Sequence, residues 1–138
     1  MIEKYYLNTD ILPTIPVPHD CVIKKITFDS NYLVLEFEDD ISYHDSIKHI
    51  KPNVSSLVIR IHLNNPIFDA YEYRLTRMLS GEGYYMINNN KLKNLCKKKL
   101  EYLYHNLGFQ SIIIKLFCGS YYLLDIESDF IEFNWIEK

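Results

Sequence analysis

The residues best suited to hold a metal ion are His44, Asp45 and His49, in the run Tyr43-His44-Asp45-Ser46-Ile47-Lys48-His49, with His62 as an outlying fourth. Imidazole nitrogen and carboxylate oxygen are ordinary zinc ligands. Two ligands on one helix face want i and i+4 spacing, as in HExxH, whereas His44 and His49 stand five apart. A centre here therefore requires a loop and outside ligands, and a solvated polar loop is the simpler expectation. A metal-binding protein or metal-dependent hydrolase built on these residues is a secondary reading. No catalytic residue and no cofactor is assigned.

Other chemistries find less support. Cys21, Cys96 and Cys118 are odd in number, widely spaced and without a CxxC, which points to reduced, mostly buried thiols rather than a disulfide scaffold or a zinc site. No GxSxG elbow, P-loop or GxGxxG occurs, and Gly81-Glu82-Gly83 lacks the strand-to-helix setting that cradles phosphate, so it reads as a turn. Glu36, Glu38, Asp39 and Asp40 gather at the end of an expected strand, where charge also blocks unwanted edge pairing. Lys91, Lys93, Lys97, Lys98 and Lys99, followed by Tyr102, Tyr104 and His105, form a basic and aromatic stretch of the kind that touches phosphates and stacks bases. The formal net charge of −3 opposes a nucleic-acid partner. Pro13-Thr14-Ile15-Pro16 fits the loose PxxP form but lacks a neighbouring arginine, which leaves an arm packed on its own domain.

Tyrosine is the unusual residue, with 12 among 138, including the pairs Tyr5-Tyr6, Tyr84-Tyr85 and Tyr121-Tyr122. Adjacent residues of a strand point to opposite faces, so each pair on a strand sends one ring away from the main core. Tyrosine offers a large contact area with few rotors and a polar tip, which suits a recognition surface. A single alanine against abundant Ile, Asn, Lys and Tyr is also what an AT-rich genome, expected to be bacterial, would encode.

These side chains must be positioned by a mostly β framework. Pro13, Pro16 and Pro18 make residues 1–20 an extended arm, and residues 21–138 a single globular domain. Val22 to Phe28, a turn at Asp29-Ser30-Asn31, and Tyr32 to Glu38 read as a hairpin with Leu33, Leu35 and Phe37 on one face. Leu57, Ile59, Ile61 and Leu63 alternate with Val58, Arg60 and His62 in another strand, and residues 41–55 read as loop. Residues 66–80 are ambiguous, with strand preferred because Gly81-Glu82-Gly83 and Tyr84 to Ile87 look like a turn and a returning strand. Leu92, Leu95, Cys96, Leu100, Leu103 and Leu107 form a stripe at helical spacing, which predicts one main helix over about 90–106, capped by Asn88, Asn89 or Asn90 and ended by Gly108. Ser111 to Cys118, Tyr121 to Glu127 and Phe130 to Ile136 complete a meander.

The expected fold is thus α+β and β-rich, a curved antiparallel sheet of six to seven strands with the helix packed on it. With 48% hydrophobic and 24% charged residues the composition is that of one globular domain. No apolar run approaches the ~20 residues that cross a bilayer, and the first 20 residues lack a continuous apolar stretch, so a cytoplasmic protein is expected. The functional expectation is a non-enzymatic protein-binding module, of the immunity-protein or accessory-subunit kind. Its partner is another protein, with Glu38, Asp39, Asp40, Tyr84, Tyr85 and Tyr121 as the contact residues. A homodimer is compatible with a free sheet edge, while membrane is excluded and nucleic-acid binding through Lys91 to Lys99 is the third reading.

Overall fold

The computed structural model describes residues 1–75 and 82–138. They form ten strands: β1 (Ile2–Tyr6), β2 (Val22–Asp29), β3 (Tyr32–Phe37), β4 (Val54–His62), β5 (Asp69–Leu75), β6 (Glu82–Met86), β7 (Leu100–Gly108), β8 (Ser111–Cys118), β9 (Ser120–Glu127) and β10 (Phe130–Glu137). Two short helices, α1 (Asp45–Lys48) and α2 (Asn89–Leu95), and a 3-10 turn at Ile41–Tyr43 accompany them. The strands make one open antiparallel sheet in the order β1-β10-β4-β3-β2-β7-β8-β9-β5-β6. No helix among the described residues is long and apolar enough to cross a membrane.

The sheet has a narrow waist. β2 and β7 pair only through Val22 with Glu101 and Ile23 with Leu100, extended by the backbone bonds of Tyr102 to Asp20 and Cys21. Five strands lie on either side, and the inner faces of both wings feed one core. Leu33, Leu35, Phe37, Ile59, Ile61, Phe133 and Trp135 come from the first wing, and Ile112, Ile114, Leu116, Leu124 and Ile126 from the second. Removing each such side chain from water is worth about 1.5–3 kcal/mol, so the shared core is what holds the wings together. Phe37 and Tyr102 meet across it with ring centroids 6.0 Å apart. At the other end of β7, the amide of Leu7 donates to Asp129 and that of Gln110 donates to Leu7.

The strongly alternating segments fold as their patterns dictate. Leu33, Leu35, Phe37, Leu57, Ile59 and Ile61 are buried, while Arg60 and His62 lie on the opposite face. Within 66–80, β5 takes up 69–75, residues 66–68 lead into it without being strand, and residues 76–81, Gly81 among them, lie outside the described residues. Glu82 and Gly83 belong to β6. Residues 41–55, read as loop, contain the 3-10 turn and α1, and the segment read as an arm enters the sheet as β1 and buries Leu7 and Ile15.

Two expectations are corrected: among the described residues the sheet has ten strands rather than six or seven, and the helix expected over 90–106 is only the short α2, capped by Asn88. α2 stops at Leu95, and residues 100–108 are β7, with Gly108 the last residue of a strand rather than a helix terminator. The cause is a register shift between Tyr102 and Tyr104, where Leu103 is the extra residue of a β-bulge. Inward positions therefore fall at Leu100, Tyr102, His105 and Leu107, a phase slip that turns a period of two into something close to helical spacing. Pairing with β8 along its length decides the matter over the helix propensity of Leu100, Leu103 and Leu107.

Candidate functional site

Two surfaces gather side chains able to bind something. The first is an open polar hollow of about 1130 Å³, lined in part by His19, Asp20, Asp40, His44, Asp45 and Lys48. α1 and the preceding turn carry most of these groups, and Asp20 and Asp40 adopt positive φ values of 67° and 63° that steer the chain around its rim. The hollow's groups already partner one another: His19 Nε2 stands 3.4 Å from Asp20, and Ser46 Oγ donates to the His19 carbonyl at 2.9 Å.

The metal candidates do not converge there. His44 precedes α1 and Asp45 opens it, both at the hollow, while His49 follows the helix and does not line the hollow. His62 lies on β4, stacked on Phe130 with centroids 4.7 Å apart and its Nδ1 3.3 Å from Asn64 Oδ1. Among the described residues no group of three or more His, Cys, Asp or Glu is arranged to hold a metal ion. Cys21, Cys96 and Cys118 are free thiols, and burial pushes Cys21 up to about 12 and Cys96 up to about 11, the opposite of an activated nucleophile.

The basic stretch is dispersed because α2 ends at Leu95. Lys91 donates to Glu72 at 2.8 Å, Lys93 lies over Phe28, and Lys99 pairs with Glu101 at 3.3 Å, while Lys97 and Lys98 sit in the turn after α2. Glu72 also accepts from Arg74 at 2.9 Å and from the Tyr122 hydroxyl at 3.3 Å. The bonds from Lys91 and Arg74 hold its carboxyl below the usual range, despite partial burial. Tyr102 is buried with its hydroxyl on His105, which leaves only Tyr104 of that aromatic group facing solvent.

The second surface is the outer face of the wing β7-β8-β9-β5-β6. Residues paired across antiparallel strands share a face, so the register places whole rows side by side. One row runs Tyr104, Lys115, Leu123, Tyr71, Met86 across all five strands. Beside it run Phe117 with Tyr121 and Tyr73 with Tyr84, whose rings lie 5.1 and 5.2 Å apart. Tyr104, Tyr121, Tyr84 and Met86 are 43%, 42%, 45% and 68% exposed, so a largely aromatic platform stands open to solvent. Lys115 lies 4.6 Å from the Tyr121 ring centroid and 5.6 Å from that of Tyr104, shielding part of it as a cation over π faces.

Of the contact residues named from sequence, Tyr84 and Tyr121 fall on this platform. Tyr85 pairs with Glu72 on the opposite face, with Arg74 over its ring, and Glu38, Asp39 and Asp40 follow β3 in the other wing. Tyr71, Tyr73, Phe117 and Met86 escaped the sequence reading as contact residues. Strict alternation through β5, β6 and β8 is the signal that identifies them, once all three are placed in register. No protein-family model, curated protein sequence or solved structure matches the chain.

Proposed function

We propose that the chain is a protein-binding module that docks its partner on the outer face of β7-β8-β9-β5-β6. The observation that carries this reading is the pair of adjoining cross-strand rows, in which tyrosines, Phe117, Leu123 and Met86 expose apolar surface contiguously over five strands. Isolated exposed apolar residues are normal on any protein, but a contiguous patch marks an interaction surface. Tyrosine-rich patches supply the anchors that dominate binding energy in protein interfaces. An accessory-subunit or immunity-type role is the class of function such a face serves.

The test is capture of a partner by the tagged full chain from lysate of its native host, compared with a Tyr84→Ser/Tyr121→Ser variant. Both side chains are over 40% exposed, so the fold is retained. A stoichiometric protein held by the parent and weakened at least about 30-fold in the variant is expected, since one ~2 kcal/mol anchor alone accounts for that factor and the variant removes two tyrosines. A partner held equally by both proteins, or none held by the parent, would overturn the reading.

A further inference from the structure

We infer that the partner presents a basic segment to this face, lysine and arginine side chains that lie on its rings and pair with the carboxylates along its margin. The inference rests on the docking reading above and adds the chemistry of the occupant. Continuing the register past the aromatic rows gives Asn106, Ile113, Asp125 and Asp69 in line, with Glu127 opposite Ser111 one step further. Glu101 pairs with Phe117 at the other margin. Four carboxylates thus border a platform whose own rows carry one ammonium, that of Lys115.

Three features make a cation the complementary ligand. Asp69 and Asp125 are directly opposed on adjacent strands, an arrangement that like charge disfavours unless something positive is placed between or above them. Among the described residues Asp69, Asp125 and Glu127 have no ion-pair partner, whereas Glu101 is matched by Lys99 at 3.3 Å. The platform also already seats a cation, since Lys115 lies over the rings of Tyr104 and Tyr121. A phosphate backbone or an acidic peptide would instead bring like charge to the margin, so a basic protein segment fits where a nucleic acid does not.

The experiment titrates a fluorescein-labelled dodecapeptide of alternating arginine and leucine with the full chain, against the same peptide carrying glutamate for arginine and a labelled oligothymidine. The parent should bind the arginine peptide alone, more weakly as salt is raised. Asp69→Asn/Asp125→Asn should weaken binding at least tenfold and melt no lower than the parent, because it removes a repulsion. Asp39→Asn/Glu137→Gln, which alters charge off the face by the same amount at exposed positions of the other wing, should leave binding within twofold. Equal loss in the two double variants, or binding of the glutamate peptide or of oligothymidine as tight as that of the arginine peptide, would overturn the inference. If the partner captured from lysate depends on Tyr84 and Tyr121 but not on Asp69 and Asp125, the docking face stands and its basic occupant does not. Independence from both pairs removes both.

Discussion

Tyr102 lies fully inside the core, and its hydroxyl meets His105 Nδ1 at 2.5 Å. Burial pushes the phenol well above its ordinary range and holds the His105 imidazole below 6.5, opposed only by a backbone bond with Ile15. The unfolded chain therefore takes up a proton at His105 at a higher pH than the folded one. Stability carries no penalty from this group above 6.5 and declines as pH falls from 6.5 toward the folded value. We expect urea midpoints measured between pH 8 and pH 5 to show that decline in the parent and to lose it in His105→Gln. Parallel profiles would show that the decline comes from elsewhere. Asp129 works in another window. Side-chain bonds from Asn64 and Gln110 hold it below 3.8, so its contribution is complete above 3.8 and is lost at more acid pH.

At the scale of elements, two glycines in the hairpins of the proposed docking face differ in what their positions demand, one in a turn and one within a strand. Gly119 joins β8 to β9 at φ 71°, a left-handed conformation that costs an L-residue about 1–2 kcal/mol. Nothing lies within 4 Å of the position an added Cβ would take, so that backbone cost is the whole effect. Gly119→Ala should lower the unfolding free energy by about 1–2 kcal/mol in urea titration. Gly83, in β6 with equally open surroundings and no positive φ, should tolerate alanine with a change under about 0.5 kcal/mol. Equal losses at the two positions would contradict the turn argument. The bulge at Leu103 is the other local device. It changes which face each β7 side chain takes, placing Tyr104 beside Lys115 on the outside and His105 opposite Ile114 within.

For the whole molecule, the decisive feature is that two wings joined by a two-residue waist share one core. Leu7 sits where the wings are stapled: its side chain is fully buried, its amide reaches Asp129 and its carbonyl accepts from Gln110. Leu7→Ala should cost about 2–5 kcal/mol, the range for a truncated core leucine. The wings should still unfold together, because neither has a separate core. Trp135 fluorescence reports the first wing and tyrosine near-ultraviolet dichroism weights the second, so their denaturation curves should coincide. Separate midpoints would show that the wings are independent.

Local pattern sufficed wherever a segment alternates cleanly and is bounded by turn formers. The β2–β3 hairpin, β4 and the β8–β9–β10 meander were legible because burial on one side of a pleated strand forces every second residue to be apolar. That no helix among the described residues is long and apolar enough to cross a membrane follows equally from run length. The residues of β7 resisted that reading, since a single bulged Leu103 shifts the phase and makes a strand resemble a helix. The proposed docking face was only partly visible in the sequence. Tyr84 and Tyr121 stood out as members of tyrosine pairs, yet that β5 lies between β9 and β6, and that Tyr71, Lys115 and Tyr104 form one row, depends on long-range strand order. Sequence alone determined which residues alternate and which must be buried. Only the tertiary structure decided which strands are neighbours, because hydrogen bonding between distant segments sets the register, and the register puts side chains from five strands on one surface.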